Sequence, residues 1–422
     1  MNRYIFLCGV CIFLLRGLTN GQDSLNTSTK DSIKIADLEK RIKLLEDKSE
    51  KDELDKLLGD AESVSREKET KKESKTFKSG QRALQAINPE ISVTGDAYGQ
   101  YIMNKDGFTE EQRSGAFFRV AGVHIQSNLD PFSSAKAIVE FSPEGAELGE
   151  AYMTWGNMLP NLSMTAGKFR QQFGVVNRWH KHALDQFDFP LALRTIFGEE
   201  GLNQIGVSFN WLMPSLTADA NNLIVEVTNG QNEQLFEGEM ITIPSILLHL
   251  KNYYDLSSNT YLELGLTGMY GQNNFRGYKN GNRVIEKTRS TYLGGIDLTV
   301  FWEPNNQAKY HSLLWRSELY YANKDIGGGD IIKTLGGYSY VEYKLHEQWL
   351  VGTRFDYTQP FELNNSSKYT YQVVPYVTWW QSHWVKLRLL YNYTNGNIFP
   401  DSKNTLRLQL VWAIGPHKHD RY

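Results

Sequence analysis

Leu406-Arg407-Leu408-Gln409-Leu410-Val411-Trp412 puts an apolar residue at every even position, with Arg407 and Gln409 between them. A β-strand turns successive side chains to opposite faces, so one face of this segment is apolar and the other polar. The same alternation runs through 385–393, 313–321 and 204–211. In the last of these, Ile205, Val207, Phe209 and Trp211 alternate with Gln204, Gly206, Ser208 and Asn210. A strand of a soluble sandwich is typically about 5–6 residues long. Many of these run to about 10 or more, the length needed to cross a bilayer at a tilt.

Working outward, sixteen such segments lie between residues 90 and 414, an even number, as a membrane barrel requires. Trp155, Trp211, Tyr253, Tyr254, Trp302, Trp349, Trp379, Trp380 and Tyr393 fall near strand ends, where interfacial girdles are expected. Connections also alternate in kind. Short ones, such as 129–132, 255–258, 304–306 and 381–382, are expected to face the periplasm. Longer ones at 103–114, 171–203, 229–242, 272–288 and 324–334 are expected outside, with 143–146 a short exception. The fold expected is all-β, a transmembrane antiparallel barrel of about sixteen strands over 87–422.

Averages alone point elsewhere. With 22% charged residues and a negative mean hydropathy, the composition suits a soluble protein. Alternation hides the membrane face from any average, while 23 Tyr, 10 Trp and 35 Gly remain as the signal. No apolar run approaches the roughly 20 residues of a spanning helix. No strongly basic domain suggests nucleic acid as a partner.

Residues 1–21 read as a secretory signal, with Arg3 ahead of the apolar stretch 4–15. Both cysteines, Cys8 and Cys11, fall within it, so thiol chemistry is not expected of the mature chain. In 22–58, Ile35, Leu38, Ile42 and Leu45 are spaced three, four, three, an a/d seam that predicts a helical, coiled-coil arm. Residues 59–86, rich in Glu, Lys and Ser, predict a charged linker.

The lumen face is expected to carry Lys136, Glu140, Glu226, His249, Lys251, Glu263, Asp297, Arg316, Glu318, Glu342, Lys344, Arg354, Asp356, Lys386, Arg388 and Arg407. Most are expected to be solvated wall, with Arg354/Asp356 and Arg316/Glu318 close enough in sequence to pair. The longest loop, 171–203, holds its own aromatic cluster and is expected to fold inward and set a constriction. Its candidate residues are Arg170, Arg178, His180, Lys181, His182 and Arg194. His180-Lys181-His182 and His417-Lys418-His419 each place two imidazoles two residues apart. That spacing is a weak zinc signal, and solvated histidines are the expectation, with no cofactor. No nucleophile elbow or paired-carboxylate motif marks an enzyme, and Gly327-Gly328-Gly329 reads as a flexible loop.

Three stretches carry a resemblance: 84–93 (LQAINPEISV), 167–174 (GKFRQQFG) and 198–202 (GEEGL). Over about 84–422 the chain resembles porin-like outer-membrane proteins, nearest the phosphate-selective porins of types O and P and their Gram-negative relatives. The resemblance implies a sixteen-stranded barrel, a homotrimer, a periplasmic N-terminal arm and passive diffusion of anions. It also implies a lumen ladder rich in Arg and Lys, whereas residues 87–422 carry 28 basic and 33 acidic side chains. The function expected is an outer-membrane porin for small hydrophilic solutes or ions, with lipid and solute as partners. The alternatives are an outer-membrane zinc-binding or uptake component and an outer-membrane barrel enzyme.

Overall fold

The computed structural model describes residues 89–103, 112–216, 218–279 and 282–415. The expected signal, arm and linker of residues 1–86, and His417 and His419, lie outside the described residues.

Sixteen strands form one closed antiparallel barrel in which each pairs with its sequence neighbours and the first pairs with the last. The first four are β1 (Glu90–Ile102), β2 (Gly115–Asn128), β3 (Ser133–Ser142) and β4 (Gly145–Leu159). Then come β5 (Leu162–Arg170), β6 (Asn203–Met213), β7 (Ala220–Thr228) and β8 (Ser245–Ser257). The longest are β9 (Thr260–Lys279) and β10 (Asn282–Trp302), followed by β11 (Ser312–Gly327) and β12 (Asp330–His346). β13 (Trp349–Thr358), β14 (Thr370–Ser382), β15 (Val385–Gly396) and β16 (Lys403–Ile414) complete the wall. Closure leaves no strand edge, the condition for placing a sheet in lipid.

The alternation of β16 sorts its side chains as the sequence predicts. Leu406, Leu408 and Leu410 are exposed on the outside, while Thr405 and Gln409 are buried inside. Ile205 and Trp211 of β6 and Val373 and Val377 of β14 are likewise exposed on the outer face. Tyr253 and Trp380 depart from the expected girdle. Each shares the lumen face of its strand, where Lys251 Nζ lies 5.4 Å from the Tyr253 ring and Lys386 Nζ 5.2 Å from Trp380.

Two expected long loops are strand instead. Segment 272–288 is taken up by the extended β9–β10 hairpin, and 324–334 by β11 and β12. Gly327, Gly328 and Gly329 all have positive φ (90°, 69° and 89°), so they form a tight turn instead of a flexible loop. At the opposite end of the barrel, 303–311 is longer than the tight turn expected around Pro304. The contrast between the two ends is therefore weaker than the sequence suggested. It persists in 171–202, 229–244 and 359–369, all at the end reached by odd-numbered strands.

The hydrophobic core lies inside the barrel. It is built from loop 171–202 packed against Leu247, Met269, Leu293, Tyr320, Tyr338 and Tyr340 of the wall. Leu235 and Phe236, from the β7–β8 connection, join it.

Candidate functional site in the barrel lumen

Loop 171–202 begins and ends beside the rim, and one side chain ties its two ends. Asn177 donates from Nδ2 to the carbonyls of Gln171 (2.8 Å) and Leu202 (3.0 Å), and its Oδ1 accepts from Leu202 N–H (2.8 Å). The backbone closes the same base, with Gln171 N–H donating to Leu202 O at 2.9 Å. Gly201 has φ 68°, and a Cβ there would lie 2.4 Å from Asn177 Oδ1. Gly174 has φ 65°, and a Cβ there would lie 1.8 Å from Glu318 Oε2 on the wall. Two glycines of the GKFRQQFG and GEEGL segments thus allow a left-handed turn at a point of close approach.

From Gly174 the loop runs along β11–β13. Val176 N–H donates to Glu318 Oε1 (3.0 Å), and the Tyr320 hydroxyl donates to Oε2 of the same carboxylate (2.9 Å). Arg316 does not pair with Glu318. It reaches loop Asp185 (3.4 Å), donates to the Tyr340 hydroxyl (2.6 Å) and lies 4.6 Å from the Trp179 ring. Arg354 does pair with Asp356 (2.8 Å), and also with loop Asp188 (2.8 Å).

Helix α1 (Leu191–Phe197) starts at Pro190, where the wall supplies the missing cap: Leu191 N–H donates to Asp356 Oδ1 at 3.1 Å. Gly198, at φ 87°, ends it. Leu193, Ile196 and Phe197 turn into the core. Burial works against the charge of Asp188, but Arg194 and Arg354 outweigh it and hold its carboxyl well below the usual carboxylate range.

The loop also reaches strands β2, β15 and β16. Arg119 of β2 donates to Lys181 O (2.9 Å) and to Phe187 O, and pairs with Asp96 (2.5 Å). Arg388 donates to Leu184 O (3.4 Å), and Lys386 to His182 O (3.3 Å). Arg407 lies 4.9 Å from the Phe187 ring and donates to Gln100 (2.8 Å). The loop therefore spans the lumen. A cavity of about 210 Å³ lies on the short-turn side against β4–β8, and one of about 570 Å³ on the long-loop side against β13–β16.

Among solved structures, the anion-selective porin from Comamonas acidovorans matches with TM-score 0.54 at 11% identity. That match covers 78% of this chain and 100% of that one. The outer membrane channel DcaP of Acinetobacter baumannii matches at 0.53 and 10%, covering 79% and 99%. The trimer form of OmpT, an outer membrane protein of Vibrio cholerae, matches at 0.52 and 11%, covering 78% and 100%. The chain has a porin-like barrel fold. No family model matches it. An uncharacterized protein of Aquifex aeolicus (strain VF5) is 25% identical over 271 residues, 60% of this chain and 56% of that relative's length.

Within this porin-like barrel, the cations predicted at the constriction do not form one basic cluster. Arg170 and Lys181 both meet Glu200 (3.8 and 2.5 Å), and Arg194 lies between Asp188 (3.4 Å) and Glu199 (3.5 Å). Arg178 donates to Arg170 O and lines the smaller cavity. Of the lumen candidates, Lys251 pairs with Glu263 (2.5 Å), and Lys344 reaches Ala308 O (3.5 Å) in the 303–311 connection. The lumen charges are largely paired and buried, not solvated wall as the sequence suggested. A closed lumen filled by a loop desolvates them, and an isolated buried charge is far more costly than a paired one.

His180 and His182 are not solvated either. His180 lies between Glu140 (Nδ1, 3.2 Å) and Glu150 (Nε2, 2.9 Å), so both its nitrogens are engaged. His182 is buried with its ring centroid 5.0 Å from that of His124. Among the described residues, no group of three or more His, Cys, Asp or Glu side chains is placed to hold a metal ion.

Sequence reasoning did not single out Asn177, Arg119 or the Tyr320/Tyr338/Tyr340 face. The tyrosines alternate on their strands, which marks a shared face, but no local signal tells an anchoring tyrosine from a girdle one.

Proposed function

We propose that the protein is an outer-membrane porin through which small hydrophilic solutes or ions diffuse passively, with loop 171–202 as its filter. The observation that carries this reading is the closed sixteen-strand wall, apolar outside and polar inside, crossed by an inward-folded loop with polar cavities on both sides. The long-loop end faces the exterior and the short turns the periplasm, the compartment we also assign to residues 22–86 once a signal of residues 1–21 is removed.

Arg170, Arg178, His180, Lys181, His182 and Arg194 set the constriction. The external cavity is lined by Arg194, Lys403 and Arg407 against the single carboxylate of Asp188. That balance favours anions at the mouth, although the barrel as a whole is net acidic. The trimer form of the structurally similar OmpT of Vibrio cholerae supports a homotrimer. Planar-bilayer conductance with reversal potentials in asymmetric salt tests the reading. Stable channels with an anion-shifted reversal potential are expected, and absence of any channel overturns it.

A further inference from the structure

The periplasmic cavity has a chemistry of its own, different from that of the charged mouth. Its charged groups are already engaged by the protein. Lys251 Nζ lies 2.5 Å from Glu263, Arg178 donates to Arg170 O, and Glu226 accepts from Gln172 N–H (3.2 and 3.3 Å) and Ser208 Oγ (3.2 Å). Lys251 is thus neutralised by Glu263, while Arg178 and Glu226 line the cavity with opposite charges, so the lining as a whole exerts little net attraction on an ion.

The hydrogen-bonding capacity that remains is neutral. On adjacent strands, Ser163 lies opposite Asn210 and Thr165 opposite Ser208, and Asn222 follows on β7. Ser208 spends its one O–H on Glu226 and Thr165 pairs with Thr154 Oγ1 (2.9 Å), so the Ser163 hydroxyl and the amides of Asn210 and Asn222 remain as groups that both donate and accept. His249, fully buried, spends Nδ1 on Thr267 (2.8 Å). Its Nε2 and the Asn222 Oδ1 make no hydrogen bond to another of the described residues. A polar atom enclosed without a partner is destabilising, so both sites favour a donor or acceptor supplied from the cavity. Trp179 from the loop and Tyr253 from the wall add aromatic surface to the same cavity.

We propose that this cavity is a binding subsite for a small neutral polyhydroxylated solute of monosaccharide size. Ligand hydroxyls that both donate and accept match a lining that does the same, and apolar C–H faces of a sugar ring pack on Trp179 and Tyr253. A charged ligand would meet a lining whose own charges offset one another. The proposal rests on the porin reading for its route of access and gives that channel a substrate class.

The test uses the full-length protein with D-glucose as the probe, read in two ways: calorimetric titration of detergent-solubilised protein, and current block in planar bilayers. Saturable glucose binding is expected, weakened at least tenfold by Asn222→Leu and by Asn210→Leu, and not competed by equal concentrations of sodium phosphate or glycine. Asn210 is solvent-exposed at the lumen surface, so its substitution keeps the test open if Asn222→Leu fails to fold. Absence of glucose binding, competition by phosphate or glycine, or unchanged affinity in a folded variant overturns the proposal. Binding without any conductance would uphold the subsite and remove the porin reading; conductance without binding would do the reverse.

Discussion

Against β11–β13, loop 171–202 lies on a tyrosine face and is held by two ion pairs, Arg316–Asp185 and Arg354–Asp188, and by the Asp356 cap of α1. Toward the short-turn ends of β4–β8 the same loop leaves a polar cavity. The first wall fixes the loop and the second leaves an open cavity. The difference lies in which residues face inward. Tyr320, Tyr338 and Tyr340 are long enough to fill the gap to the loop, while Ser163, Thr165 and Ser208 are not.

The strongest way to break this comparison is to remove the loop. Deleting residues 178–196 is expected to raise single-channel conductance severalfold, because the segment crosses the lumen; an unchanged conductance would remove the filter role. Next, Arg354→Ala strips the anchored wall of the cation shared by Asp188 and Asp356. Leaving two buried carboxylates without it is expected to cost about 3–5 kcal/mol. Faster protease cleavage within 178–196 and noisier open-channel current would show it.

A smaller effect is expected from Asn177→Ala, which loses the three bonds that close the loop base. A cost of about 1–3 kcal/mol follows from the stranded carbonyls and N–H, read by hydrogen exchange at Gln171 and Leu202. The smallest belongs to the half-exposed Lys181–Glu200 pair, where solvent screening limits Lys181→Gln to roughly 0–1 kcal/mol in the same assay.

The anchored wall also has a defined response to acid. Because the Asp188 carboxyl is held below its ordinary value, its contribution is complete above the unfolded pKa and is lost only as pH falls through the lowered folded one. Protease resistance attributable to the Asp188–Arg354 contact is therefore expected to be constant from about pH 7 to about pH 5. A loss within that window would show that a different group holds the loop.

Much of the wall was legible because its signal is local. Period-two alternation in 406–412 or 385–393 depends only on strand geometry and on lipid outside facing a polar interior, so both strand number and facing followed from it. The hairpins at 272–288 and 324–334 escaped because a strand with polar residues on both faces has no alternation and looks like a loop. Within the site, the aromatic and charged content of 171–203 marked the loop, but not its partners. Arg316 was placed beside Glu318 by sequence distance, yet the folded chain gives it Asp185, 131 residues away.

By itself, then, the sequence determined the barrel: sixteen alternating segments, each forced by the solvents on its two sides. Tertiary structure decided what fills it. Whether a lumen charge is solvated, paired with its neighbour or spent on an inward loop depends on contacts between residues more than 100 positions apart. No periodicity records those contacts, and closure alone brings them together.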